Sequence, residues 1–113
     1  MLVTVVNPRV FVDARGEAIV IQVSGTFDLA GVGMVENAVD VALDSALRYV
    51  EFDLSDVDFL DMAGLGVILR AERNARRLAK EVRVVPPRGL ARRVFTLTRV
   101  GDHLTLVKPP GPG

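Results

Sequence analysis

Two aspartates, Asp28 and Asp61, stand where strand-like stretches give way to helical spacing, and they are the first carboxylates to consider for acid–base chemistry. A paired-carboxylate hydrolase needs a defined acid and base converging on a cleft. No histidine, lysine or tyrosine of this sequence converges with these two, and the chain is not expected to be an enzyme. An aspartate just before a helix is also a capping residue that accepts N–H bonds from the first turn, a role compatible with contact to a partner. The chain has one histidine, His103, and no cysteine, which removes thiolate nucleophiles, disulfides and cysteine-based metal sites and leaves metal binding to carboxylates alone. Gly31-Val32-Gly33 and Gly64-Leu65-Gly66 lack the third glycine of a dinucleotide turn and the Lys-Ser/Thr of a phosphate loop. No cofactor and no metal are expected. Arg70, Arg73, Arg76, Arg77 and Lys80 form a basic stripe at helical spacing, but the net charge is zero and no aromatic residue is interleaved, so direct nucleic-acid binding is not expected. Steering toward an acidic protein face suits the stripe better, with Arg70 and Arg73 its main contributors.

The elements that must position these residues follow from periodicity. Val10 to Val12 and Ala18 to Val23 read as strands joined by a turn at Gly16, a hairpin. Val32, Val35, Val39, Ala42, Leu43 and Ala46 take up helical spacing, predicting a first helix over about residues 30–46 with Asp28 near its start. Val50, Phe52 and Leu54 alternate with polar residues as a strand that a helical crossover makes parallel, and a loop is expected through Val57 and Phe59. Leu65, Ile68, Leu69, Ala75, Leu78 and Ala79 give an amphipathic second helix from Ala63 to Lys80, in which Gly64 and Gly66 permit close approach to the strand. Val82 to Val85 is a strand stopped by Pro86-Pro87, Leu90 to Leu97 a third helix, and Leu104 to Val107 a final strand. The order ββαβαβαβ predicts an α/β fold, a mixed and mainly parallel sheet with helices packed on it, in one domain over residues 1–108, followed by a frayed Pro/Gly tail at 109–113.

Half of the 113 residues are apolar, enough for a single core without disulfide or metal. No apolar run reaches the length of a membrane span, and the apolar start Met1 to Val6 is interrupted by Asn7-Pro8-Arg9, so a cytoplasmic protein is expected. The charge is polarised along the sequence: three bases face eleven acids through Asp61, and eleven bases face three acids after it. Either the two halves present opposite fields to a charged partner, or they interleave in the fold and cancel.

The stretch Glu51-Phe52-Asp53-Leu54-Ser55-Asp56-Val57-Asp58-Phe59-Leu60-Asp61-Met62-Ala63-Gly64-Leu65-Gly66-Val67-Ile68-Leu69 resembles the signature of STAS domains, the fold of bacterial anti-sigma-factor antagonists. In that family a strand ends in an Asp-Ser-Ser/Ala-Gly-Leu-Gly-like turn that opens a helix, and here the counterpart is Asp61 to Gly66. An upstream Ser-Gly-Glu-Leu-Asp-like turn is matched by Ser24-Gly25-Thr26-Phe27-Asp28. Arg92-Arg93-Val94-Phe95 through Asp102 resembles the closing helix and strand, so the likeness runs from about residue 9 to 107.

The resemblance implies a binding protein that captures an anti-sigma factor of the serine-kinase type and so releases a sigma factor. Its partner-binding face would be built from Thr26, Asp28, Asp61, Met62, Ala63, Gly64 and Leu65, with Arg70 and Arg73 alongside. In the family the residue after the turn's aspartate is a serine or threonine that the kinase phosphorylates to end partner binding. Here it is Met62, followed by Ala63, so the resemblance implies that the phosphorylation switch is absent. Three readings of Met62 stand open: a permanently competent antagonist, a flexible apolar contact for another partner, or a methionine packed inward, which exposure would exclude. Among the remaining hydroxyls, Thr26 is the one the resemblance sets nearest the turn. The alternative function is a non-switching accessory or scaffold subunit of a lipid-transport or sensor complex. A homodimer is also left open.

Overall fold

The computed structural model describes residues 8–99, 101 and 104–108. The apolar start, His103 and the Pro/Gly tail lie outside these residues. The element order is β1 (Arg9–Arg15), β2 (Ala18–Phe27), a 3₁₀ turn (Leu29–Gly31), α1 (Val32–Asp44), β3 (Tyr49–Leu60), α2 (Met62–Arg77), β4 (Glu81–Val85), α3 (Gly89–Thr98) and β5 (Thr105–Leu106). This is the expected ββαβαβαβ succession, in a five-stranded sheet ordered β1-β2-β3-β4-β5. β1 and β2 are antiparallel and the other neighbours parallel, as short hairpin and long crossover connections require. The hairpin turns at Gly16, whose φ of +58° a side chain would resist.

Alternate strand positions supply the core. Ile19, Ile21 and Val23 of β2, Val50, Phe52 and Leu54 of β3, and Val82 and Val84 of β4 share one cluster with Val35, Ala38, Val39 and Ala42 of α1 and Leu65, Ile68, Ala71 and Ala75 of α2. Ala91 and Phe95 attach α3 to the same cluster. The period-2 and period-3.6 patterns read from the sequence are therefore two sides of one buried layer.

Several boundaries differ from the sequence expectation: β1 runs Arg9–Arg15, β2 continues to Phe27, α1 ends at Asp44 and β5 is Thr105–Leu106, and three further differences bear on the site. The expected loop through Val57 and Phe59 is strand, because β3 continues in parallel pairing with β2 to Leu60, through register shifts between Gln22 and Ser24 and between Gly25 and Thr26. Aspartates and a serine weaken the strand signal of Ser55 to Asp58, yet the extended partner strand overrides local preference. The first helix begins at Val32 after the 3₁₀ turn, instead of near residue 30. The second starts at Met62 and ends at Arg77, with Ala79 in the left-handed region at φ 57°. Lys80 lies past the helix, where its Nζ donates to the carbonyls of Ser45 and Leu47, each at 2.6 Å.

Candidate functional site

Asp61 forms the joint between the two conspicuous turns of the sequence. Its backbone is extended, it caps α2, and its Oδ1 accepts the Gly64 N–H at 3.0 Å. Its Oδ2 accepts the Leu29 N–H at 3.3 Å from the 3₁₀ turn, while its own N–H donates to the Phe27 carbonyl at 3.3 Å. One carboxylate thereby ties the end of β2 to the start of α2. Asp28 caps the 3₁₀ turn, its Oδ1 accepting the Ala30 N–H at 3.1 Å. Both carboxylates are engaged by main-chain donors, and both sit at the carboxyl ends of parallel strands, where open α/β sheets place their sites.

Gly64 makes the joint tight. A Cβ there would lie 2.7 Å from the Phe27 carbonyl oxygen and 2.8 Å from Leu60 Cδ1. The expected close approach is thus met at Gly64. At Gly66 it is not: a Cβ would approach only the guanidinium of Arg70, from the same helix. Leu65 is fully buried and holds α2 to the sheet from beneath, so its contribution to the surface is indirect. Ala63 is half-buried, and Thr26, also half-buried, pairs with Phe59 in the β2–β3 register.

Met62 stands 65% exposed at the first position of α2, which excludes the inward-packed reading. Two neighbours that sequence reasoning missed are equally open: Leu29 is 74% and Phe59 52% exposed. Leu29 is bound through its N–H to Asp61, Phe59 precedes that aspartate by two residues, and Met62 follows it. These three exposed apolar residues, tied to Asp61 by chain position or by the Leu29 N–H bond, supply an apolar rim beside the capping carboxylate, the kind of surface that marks protein interaction sites. The signal for Leu29 was its place directly after the Asp28 cap, and for Phe59 its place in a strand whose neighbours are aspartates.

Arg70 and Arg73 lie along the outer side of α2 and line one shallow groove with Gly66, Leu69 and Glu72. Arg70 is not an isolated cation, since its Nη2 meets Glu36 of α1 at 2.9 Å. The sequence polarity of charge is bridged in part: Arg88 reaches Asp56 at 3.6 Å, while Arg83 stacks on the neutral ring of Tyr49, 3.6 Å from its centroid. Arg70–Glu36 and Arg88–Asp56 are ion pairs among the described residues that join the acidic first half to the basic second half. Among the described residues there is no group of three or more histidine, aspartate or glutamate side chains able to hold a metal, and no helix is long and apolar enough to cross a membrane.

The chain from residue 10 to 108 matches the family model described as "Mlab, STAS domain". No curated protein matches it by sequence. Among solved structures it is similar to an anti-sigma factor antagonist from Mycobacterium paratuberculosis, at 25% identity and a TM-score of 0.80, over 93% of this chain and 88% of that one. It is similar in fold to the Bacillus cell fate determinant SpoIIAA in its phosphorylated form, at 19% identity and a TM-score of 0.70, over 91% and 93% of the two chains. A substituted form of RsbS from Moorella thermoacetica aligns at 18% identity and a TM-score of 0.71, over 93% and 91%. With nearly its whole length matched, its strand order reproduced and its two signature turns joined at Asp61, the chain belongs to the STAS-domain family.

Proposed function

We propose that this domain is an anti-sigma-factor antagonist acting in the cytoplasm by binding and without catalysis, and that it lacks the phosphorylation switch. The face it offers is the rim of Leu29, Phe59 and Met62 beside Asp61, flanked by Thr26, Asp28, Ala63 and the Arg70–Arg73 side of α2. The partner is an anti-sigma factor of the serine-kinase type, whose capture releases a sigma factor. The observation that carries this reading is the exposed Met62 at the first position of α2, directly after the capping aspartate. A phosphate there would sit among free helix N–H groups while adding about two negative charges to an apolar contact face. Methionine accepts no phosphate and supplies a flexible apolar contact instead, so binding persists in the presence of ATP.

The test is capture of partners from extract of the source cells by the native domain and by Met62→Ser, each with and without ATP, with phosphosites mapped by mass spectrometry. The expected outcome is one serine-kinase-type partner held by both proteins without ATP. With ATP, only the Met62→Ser domain is phosphorylated, at residue 62, and released. Phosphorylation of the native domain at Thr26 would contradict the absence of a switch. Capture of transporter or sensor-complex subunits, with no kinase in any sample, would overturn the antagonist reading in favour of an accessory or scaffold subunit.

A further inference from the structure

The antiparallel hairpin leaves β1 at the margin of the sheet, bonded among the described residues only to β2. Edge strands are normally kept from pairing with other chains by being very short, by lysine or proline within them, or by a bulge. β1 carries charges at Arg9, Asp13 and Arg15 but has no lysine, proline or bulge: it runs seven residues, Arg-Val-Phe-Val-Asp-Ala-Arg, in unbroken register with β2. It also presents Phe11 and Val12, 63% and 42% exposed.

The neighbouring helix exposes apolar residues on the same side of the molecule. α1 lies over β1 and β2, and its Glu36 and Asp40 border α2 beside Arg70. Met34 and Val41, seven residues apart and so on one stripe, occupy the opposite flank of α1, toward the β1 edge. They are 39% and 60% exposed. Val12 pairs with the core residue Ile21 and so points to the face that α1 covers, whereas Phe11 pairs with Gln22 and points to the other.

We infer that β1 pairs antiparallel with β1 of a second copy of this chain about a two-fold axis through Phe11, making one continuous sheet across the dimer. Within one copy Asp13 is already held by Arg15, Nε to Oδ2 at 3.1 Å, so the charges bias the partner and the register through a shared network of Arg9, Asp13 and Arg15. Centred on Phe11, the pairing sets Arg9 opposite Asp13 of the other copy on each side of the axis, Val10 opposite Val12, and Phe11 opposite itself, an aromatic cross-strand pair. Centred on Val12 it would oppose Arg9 to Arg15, and centred on Asp13 it would oppose that carboxylate to itself, both unfavourable. With strands about 4.8 Å apart, two α1 helices seated over their β1–β2 pairs come to about 10 Å from each other, the distance of packed helices. Met34 and Val41 then meet their counterparts. Such an isologous contact satisfies the open edge in both copies at once. It uses a surface separate from the Met62 rim and does not depend on the function proposed for that rim.

Sedimentation velocity of the full chain over a concentration series tests this. The native protein is expected to pass from monomer to dimer. Arg9→Asp and Asp13→Arg each place like charges at two symmetric positions and are expected to weaken association about tenfold. The double variant re-forms both intermolecular pairs in reversed polarity and recovers part of the loss, the remainder following from the Asp13–Arg15 pair it gives up. Val41→Glu, on the helix flank, is expected to weaken association as well, while Met62→Ser leaves it unchanged. Circular dichroism confirms that each variant is folded. A monomer at every concentration would overturn the inference, as would a dimer indifferent to both single charge reversals.

Discussion

Gly64 and Asp61 work as a pair of opposite kinds. The aspartate draws three main-chain groups together, and the glycine leaves room for the result. Adding a methyl group at Gly64 sets the helix against a backbone oxygen and a core leucine, neither of which moves as freely as the end of a long side chain. Alanine gains about 1 kcal/mol in helix propensity, but overpacking costs about 1–3 kcal/mol. Gly64→Ala is therefore expected to be less stable by up to about 2 kcal/mol in chemical denaturation. A variant as stable as the native protein would mean that α2 can shift away from Phe27 without loss. Gly64 is legible from sequence as a close-approach position, because a glycine just inside a helix has little other reason to be there. Leu29 is legible only as the residue after the Asp28 cap: an exposed leucine in a turn carries no periodic signal, and the bond from its N–H to Asp61 is what brings it to the site.

At the level of elements, the least expected features are the long β3 and the early end of α2. Lys80 belongs to the basic stripe by its spacing, yet the left-handed Ala79 turns the chain and sends the Lys80 ammonium to two carbonyls at the α1–β3 connection. It fixes the loop that delivers β3 to the sheet. Lys80→Met keeps the apolar stem and removes the donor. It is expected to lower stability by about 1–3 kcal/mol, since both carbonyls lose a charge-assisted bond, with water recovering part of the loss. A urea midpoint equal to that of the native protein would show that the loop is held without it. The continuation of β3 to Leu60 has functional weight too, because it carries Phe59 and Asp61 up to the end of β2. Periodicity did not reveal it, since its polar residues are tolerated by pairing with β2 and not by their own preference.

For the whole molecule, the ion pairs between the acidic and basic halves bear on what long-range electrostatics can do. Arg70 is tied to Glu36 in an exposed pair that contributes little to stability, about 0–1 kcal/mol. Its neighbour Arg73, exposed on the same groove, is better placed to steer an acidic partner. If the proposed anti-sigma-factor partner binds on this side, Arg73→Glu is expected to slow that association several-fold at low salt, with little change in dissociation and a difference that shrinks as salt rises. Stopped-flow or surface-based kinetics across ionic strengths reads this directly, and an unchanged association rate would remove Arg73 from the binding face. The element order, the α/β class, most core positions and the lack of a hydroxyl at residue 62 follow from local periodicity and residue chemistry, whereas Ala46, Leu78 and Ala79, placed on helix faces by spacing, are exposed beyond the helix ends. The exposure of Met62, the rim that Leu29 and Phe59 complete, the two ion pairs between the charged halves and the place of β1 at the margin of the described sheet come from the tertiary structure. Each of these depends on which distant segments share a neighbourhood once the sheet has formed, and no spacing along the chain encodes that alone.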